Sequence, residues 1–330
     1  MLNLCGGIYL KRQLTVNLES KEINISYIEN DDITNESDDL SFFTSSLSGY
    51  QIIGVNRIEV CTKNIRSKAG GFFSHYLKCN NYDSVIIKGK SDIPVFIYID
   101  KEFVKIYDAE EIFFMNYKDS KDVIKKILGE ENIGVCSIST AGAYKLDFSK
   151  IVFGEKKSCG KDGLGKIMGE KKLKAIVVKK QESLKSNDEV ILNNINEKIN
   201  DRLNKDDLTS YFLEENNCYG CNRNCKSTSL KKLTKRGIDN KKAEIIDNVC
   251  NEYGMDSITF AKFFDGEEDI YRLADKIIKN PNEYKIDHNS KKIIKKEENI
   301  FDKLGFCRLL INKDILTKKE LEELIKLVES

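Results

Sequence analysis

The chain has 330 residues, 40% hydrophobic and 32% charged, and its 54 Lys and Arg so nearly balance its 53 Asp and Glu that the formal net charge is +1. That length permits two domains with cores of their own, while the even charge excludes a whole-chain basic field for nucleic acid and the acidic excess of a disordered chain. The longest apolar runs fall far short of a membrane span, and MLNLCGGIYLKRQL lacks a basic segment leading into an apolar core, so a cytoplasmic protein without a secretory leader is expected.

The first half, to residue 182, reads as strand-rich. Residues 8–28 alternate apolar and polar around a polar turn at Glu19, Ser20 and Lys21, which predicts a hairpin. Residues 56–63, 83–90, 93–100, 103–109, 133–139 and 174–180 predict further strands, and the polar stretch 29–46 predicts a surface loop. One helix is expected from Ser120 to Gly129. From residue 183 the period turns helical. Residues 188–205 place Val190, Ile191, Ile195, Ile199 and Leu203 near one face, and 238–255 predict a helix capped by Gly254. Helical patterns follow at 257–264, 268–280 and 318–329, with a charged, exposed stretch at 288–299. The expected class is α+β: a β-rich domain (1–182), then a smaller helical one (183–330).

Ten cysteines are many for a reducing compartment, where clustered thiols read as metal ligands. Cys218, Cys221 and Cys225 form C-x2-C-x3-C, a spacing that lets three thiolates converge on one centre, with Arg223 and Lys226 beside them to offset charge. Only two histidines exist, His75 and His288, and neither stands at a zinc-finger offset. A thiolate-only site leaves two candidates open, a four-cysteine zinc or a [4Fe–4S] cluster. The scattered Cys5, Cys61, Cys79, Cys136, Cys159 and Cys250 read as small buried hydrophobes.

Two further patterns bear on a site. Asn251, Gly254 and Asp256 spell N-x-x-G-x-D, and Asp302, Gly305 and Cys307 spell D-x-x-G-x-C, a matched pair of helix-ending turns with a ligand-type residue two after the glycine. Gly160, Gly163, Gly165 and Gly169 interleave with Lys161 and Lys166; such a loop running into a helix can present N–H groups and charge to an anion, although its G-x-x-G-x-G order matches neither the dinucleotide fingerprint nor the P-loop.

Together these segments resemble the aldehyde:ferredoxin oxidoreductase family. The family signature G-G-x-G-x-x-M-G-S-K-x-L-K-A-I is similar to residues 162–176, DGLGKIMGEKKLKAI; its N-A-G-G-Y-F region resembles KAGGFF at 68–73; and its S-R-V-S-V-V-T-K strand resembles NRIEVCTK at 56–63. The resemblance implies a β-rich pterin-binding base followed by helices, a tungsten or molybdenum bis-pterin, and a [4Fe–4S] cluster on Cys218, Cys221, Cys225 and, as fourth ligand, Cys307. It implies pterin-binding roles for Arg57, Lys68, Ala69, Gly70, Gly71, Gly160, Lys161, Gly163, Gly165, Asn251, Asp256, Asp302 and Gly305, with magnesium bridging the phosphates. As activity it implies oxidation of an aldehyde with electrons passed to ferredoxin or another electron-transfer protein, in an anaerobic setting.

Departures from the family shape the alternatives. Lys68 replaces the Asn that helps bind magnesium, and Lys161 replaces an Arg, losing its bidentate fork. The stretch after Cys225 holds no acid to stand for the family's E-Y-E, and His288 earns no catalytic role. Catalytic residues therefore stay unassigned. With much of the helical cover missing, either a partner subunit or second copy is expected to close over the cofactor, or the substrate pocket is lost. The alternatives are a non-catalytic relative acting in electron transfer or cofactor handling, and a structural zinc protein on the same scaffold.

Overall fold

The computed structural model describes residues 10–29, 38–154, 157–203, 218, 221, 228–286, 304–307, 310 and 315–328. Twelve strands form two six-stranded sheets. The first contains β1 (Lys11–Asn17), β2 (Ile23–Ile28), β3 (Leu40–Phe43), β4 (Ile58–Cys61), β5 (Arg66–Ala69) and β6 (Ser84–Lys88), in the order β2-β1-β6-β3-β4-β5. The second contains β7 (Val95–Ile99), β8 (Val104–Asp108), β9 (Ile133–Ile138), β10 (Ile151–Gly154), β11 (Lys157–Cys159) and β12 (Leu173–Lys179), in the order β11-β10-β9-β12-β7-β8. The β1–β6 and β7–β12 pairs are parallel and the other pairs antiparallel.

Alternation along the strands explains the layers. In β7, Val95, Ile97 and Ile99 face the first sheet and share a core with Leu14, Val16, Phe42, Val60 and Val85, while Phe96 and Tyr98 face the other way. That second face is covered by α2 (Tyr117–Leu128) through Tyr117 and Ile124. Helix α1 (Phe73–Cys79), between β5 and β6, is buried along its whole length and carries Phe73, Tyr76 and Leu77 into the inter-sheet core. Two short helices, α3 (Thr140–Ala143) and α4 (Leu164–Glu170), follow β9 and β11.

Strand β12 slips register between Leu173 and Ala175, and Lys174 at the slip is fully buried. Its Nζ donates to the carbonyls of Phe113, Met115 and Ile138 at 3.2, 2.6 and 2.8 Å. Burial lowers its pKa to about 7, since a charged ammonium loses its hydration there.

The later helices do not build one core by themselves. Helix α5 (Glu189–Arg202) and a C-terminal helix over Lys318–Val328 pack with Leu47, Ile52, Ile53 and Val55 of the β3–β4 connection. Between them in sequence, α6 (Thr228–Thr234), α7 (Asn240–Tyr253), α8 (Ser257–Phe260) and α9 (Ile270–Lys279) pack on Ala141, Leu146 and Phe148. The C-terminal helix is α10.

Most expected elements are present, including the hairpin and the αL glycine caps of α2 and α7, Gly129 at φ 64° and Gly254 at φ 74°. Three readings need correction. The stretch 29–46 is not all loop: residues 40–43 form β3, buried between β6 and β4, because Leu40 and Phe42 outweigh the polar residues before them. Helix α2 begins three residues before Ser120, capped by the Asn116 side chain accepting from the Asp119 N–H. On α5 the inward face is Leu192, Ile195 and Ile199, while Val190 is 70% exposed; the first turn, capped by Asp188, points Val190 and Ile191 outward. Residues 288–299 lie outside the described residues. Cys61, Cys79, Cys136, Cys159 and Cys250 are buried as expected, and Cys5 is outside the described residues.

Candidate cofactor and metal site

Two turns and two glycine segments come together along the connections of the sheets. Strands β4 and β5 pair Ile58 with Ala69 and Glu59 with Lys68, which sets Arg57 beside the A-G-G segment. Arg57 donates from Nη2 to the Lys68 carbonyl at 3.2 Å and makes no ion pair among the described residues. Lys68 is otherwise engaged: its Nζ lies 2.9 Å from Glu59 Oε2, so the lysine that replaces the family's Asn already has a carboxylate partner. After β5 the chain passes through Gly70 and Gly71. Among the described residues nothing accepts from their N–H groups. Gly71 has φ +124°, a region L side chains avoid.

The sulfur of Cys218 sits against Gly70. A Cβ built on Gly70 would lie 2.5 Å from Cys218 Sγ, so only glycine lets the thiol approach the backbone this closely. Cys221 follows Cys218 in a tight turn, its N–H donating to the Cys218 carbonyl at 2.9 Å. Cys307 arrives from the far end of the chain. Its N–H donates to the Gly54 carbonyl at 2.7 Å, and it packs, like Cys221, against the core shared by α5, α10 and the β3–β4 connection. The glycine of its turn, Gly305 at φ 78°, presses on Ser45, and a Cβ there would lie 2.5 Å from Ser45 Oγ and 3.6 Å from the Arg57 nitrogen. The Cys307 turn thus touches the segment 45–57, Arg57 touches Lys68, and the adjacent Gly70 touches Cys218. Cys225 and Asp302 lie outside the described residues. Among the described residues no three His, Cys, Asp or Glu side chains gather closely enough to hold a single metal ion.

The other turn docks on the second sheet. Gly254 ends α7, the Lys150 N–H donates to its carbonyl at 2.7 Å, and the Asp256 N–H donates to the Phe148 carbonyl at 3.0 Å. A Cβ on Gly254 would meet Ser139 Cβ at 2.9 Å. The two side chains expected to meet a pterin here have local partners: Asn251 Nδ2 donates to Asp247, and Asp256 caps α8, accepting from the N–H and hydroxyl of Thr259 at 3.0 and 2.8 Å.

The glycine loop spends its amides inside the protein. The Gly160 N–H donates to Ser67 Oγ, that of Gly163 to the Gly160 carbonyl and that of Gly165 to the Ser149 carbonyl. Glycine is needed there for approach: a Cβ on Gly165 would lie 2.7 Å from the Lys150 carbonyl oxygen. Lys161, exposed at the tip of the loop, adds side-chain charge. Cys159, just before it, is pushed up to about 12 by burial, although the Ser67 hydroxyl and the charges of Arg57 and Lys150 pull the other way.

Asn56 was not legible as a site residue. It is buried with φ 75°, its Oδ1 accepts from the Gly49 N–H at 3.0 Å, and its Nδ2 has no acceptor among the described residues. A buried amide donor without a partner carries a desolvation penalty that a ligand in reach would relieve. The only sequence signal was an Asn after Gly-x, ahead of a strand. The described residues fit a soft, anionic group: two thiols at one edge, N–H donors on Gly70 and Gly71, an orphaned amide, and an Arg without a carboxylate.

Stacked mixed sheets with a glycine cradle at their connections and helices behind define an α+β class seen in solved structures. The active-site complex BamBC of benzoyl coenzyme A reductase, solved with 1,5-dienoyl-CoA, superposes with a TM-score of 0.68 over 82% of this chain and 60% of that one, at 20% identity, a likeness of fold alone. The particular family follows from sequence: the aldehyde ferredoxin oxidoreductase N-terminal domain matches residues 9–180, and the chain belongs to that family. Its relatives include the tungsten-containing aldehyde ferredoxin oxidoreductases of Pyrococcus horikoshii (34% identical over 146 residues, 42% of this chain and 24% of the relative) and Pyrococcus furiosus (36% over 112 residues, 34% and 18%). The WOR-like subunit of the aliphatic sulfonate oxidoreductase of Pyrococcus furiosus is 32% identical over 115 residues, 31% of this chain and 18% of that subunit. The matched part spans about a quarter or less of these relatives' own length.

Proposed function

We propose that this chain is an aldehyde:ferredoxin oxidoreductase-like protein holding a [4Fe–4S] cluster on Cys218, Cys221, Cys225 and Cys307 beside a tungsto- or molybdopterin. The observation that carries the reading is the seam just described, in which the Cys307 turn, Arg57 and the Gly70 backbone under the Cys218 sulfur run on from one another. A redox cluster touching a pterin cradle needs that juxtaposition, and a structural zinc does not need the cradle.

In this reading the base, residues 1–182, binds the pterin, and residues 183–330 bring the cluster thiolates. Arg57 orients an anionic group from one side, and the Gly70 and Gly71 N–H groups from the other. Asn251, Asp256, Asp302 and Gly305 frame the two pterins; Gly160, Gly163 and Gly165 give the backbone its close approach, and Lys161 adds charge at the rim. Lys68, held by Glu59, stands where a magnesium-binding Asn would be. When bound, the metal would accept two electrons from an aldehyde and the cluster would pass them on singly to ferredoxin or another electron-transfer protein.

A second reading has a specific observation behind it. One relative is itself a subunit, the WOR-like subunit of the aliphatic sulfonate oxidoreductase of Pyrococcus furiosus. A partner subunit or a second copy would then complete the enclosure, with this chain as the cofactor-handling or electron-transfer member. No described helix is long and apolar enough to cross a membrane. The test is metal analysis after strictly anaerobic purification. Brown protein with about four irons per chain and tungsten or molybdenum supports the first reading; iron without either supports the second; colourless protein with zinc overturns both.

A further inference from the structure

The edge of the first sheet opposite β5 carries an uncovered apolar row. Strand β2 ends the order β2-β1-β6-β3-β4-β5 and pairs only with β1 among the described residues. The Asn17 N–H donates to the Glu22 carbonyl at 2.9 Å to close the hairpin. Alternation from that bond turns the backbone groups of Asn24, Ser26 and Ile28 toward β1 and those of Ile23, Ile25 and Tyr27 to the open edge. The same three residues form the apolar row. Ile23 and Ile25 stand opposite Val16 and Leu14, on the face that builds the inter-sheet core, yet Ile25 is 45% and Tyr27 63% exposed.

Soluble proteins blunt such an edge with charge, proline or a bulge. Residues 23–28, INISYI, hold no charge and no proline, and their register with β1 is unbroken. We propose that β2 is a homodimer interface, pairing antiparallel with β2 of a second copy about a two-fold axis at Ile25. A two-fold perpendicular to the sheet keeps every side chain on its own face. Centred on Ile25, it sets Ile25 against Ile25 and Ile23 against Tyr27, and gives each outward N–H a carbonyl partner. It also brings Lys21 of one copy opposite Glu29 of the other, twice over; both residues are exposed. An axis at Asn24 would instead set Glu29 against Glu19, and an axis at Ser26 would set Glu29 against Ile23. Within one copy Lys21 and Glu29 stand eight residues apart along extended chain, about 26 Å, so they meet only between copies. A second copy at this edge leaves the cradle beyond β5 open, and the inference stands without the cofactor reading.

The experiment is sedimentation of the anaerobically purified full chain over a roughly hundredfold range of concentration. The wild type is expected to pass from monomer to dimer. Ile25→Lys sets two ammonium groups against each other on the axis and is expected to raise the dimer dissociation constant about tenfold or more. Lys21→Glu and Glu29→Lys, on the exposed surface, are each expected to weaken the dimer about threefold. The double exchange rebuilds the pair with its signs reversed and should return the constant to within about twofold of wild type. A wild type that stays monomeric, unaltered association in Ile25→Lys, or no recovery in the double exchange overturns the proposal.

Discussion

The turn at Gly254 and the turn at Gly305 share a backbone and differ in what they carry. Both glycines sit in the left-handed region, at φ 74° and 78°, and both press on a serine, Ser139 and Ser45. Both are zipped to a connection of one sheet, the first to Phe148 and Lys150, the second to Gly54. Two residues later they part. Asp256 turns back to cap α8, whereas Cys307 keeps a half-buried thiol at the seam near Arg57. The lesson is that the turn is a docking device which the chain uses twice, and that the residue two after its glycine differs, a helix cap at one dock and a half-buried thiol at the other.

The largest effect is expected where the two turns differ most. Cys307→Ser keeps the turn and the N–H bond to Gly54 but removes the soft ligand. Iron content of anaerobically purified protein should fall more than tenfold, as far as in Cys221→Ser. A brown Cys307→Ser protein with full iron would make the Cys307 turn as structural as the Gly254 turn and would remove the fourth ligand from the proposal.

The next effect should appear on one side only. Ser45, Ser48 and Ser74 form a hydroxyl chain, 3.0 and 2.9 Å, from beneath Gly305 to α1, where the neighbouring His75 is buried. Burial, aided by Lys180, lowers the His75 pKa from 6.5 to about 3. Between those values the unfolded chain binds a proton that the folded chain refuses, so stability falls as pH drops below about 6.5, by about 1.4 kcal/mol per unit at most. His75→Asn should flatten that slope in urea titrations from pH 6.5 to 4. An unchanged slope would mean that other groups govern acid sensitivity. Hydrogen exchange at pH 4.5 should speed up in α1 before α7.

Much of this fold was legible because period and caps are local. The hairpin, the buried β7 and the glycine cap of α7 follow from alternation and from the φ that only glycine adopts easily. Strand β3 was hidden because Leu40 and Phe42 are too few to stand out in a polar stretch, and it is held by neighbours far away in sequence. Lys174 and Lys150 show the same limit. A lysine in a pattern reads as surface, and only the register slip at one and the Gly254 dock at the other explain their burial. At the site the cysteine and glycine motifs announced themselves. Which amides they leave free did not, since it depends on Ser67, Ser149 and Gly160 as acceptors.

Adding a methyl to either glycine should test whether the docks are equivalent. Gly254→Ala and Gly305→Ala each incur the left-handed penalty plus a clash, about 2–3 kcal/mol together. Ser45→Gly removes the atoms that the Gly305→Ala methyl meets but also the one Ser45–Ser48 hydroxyl bond, so the double variant should lose the clash and retain the backbone part plus that bond, about 1 kcal/mol each. Ser139 cannot yield as cheaply, because its hydroxyl accepts from the Tyr117 N–H and donates to the Glu252 carbonyl. Equal rescue at both sites, read from denaturant midpoints, would erase this distinction between them.

The smallest effect separates the two roles open to Asp256. As the cap of α8 it accepts from the N–H and hydroxyl of Thr259, and Asp256→Ala should cost about 1 kcal/mol of stability. Asp256→Asn retains a side-chain acceptor, and asparagine caps nearly as well, so it should restore most of that loss. Pterin content supplies the second axis. A folding role predicts that Asp256→Asn keeps both stability and pterin. A ligand role predicts that it keeps stability and loses pterin, because the amide removes the carboxylate charge without removing the cap. The pair of measurements on one conservative variant therefore decides whether the first turn carries chemistry, as is proposed for the second, as well as the dock.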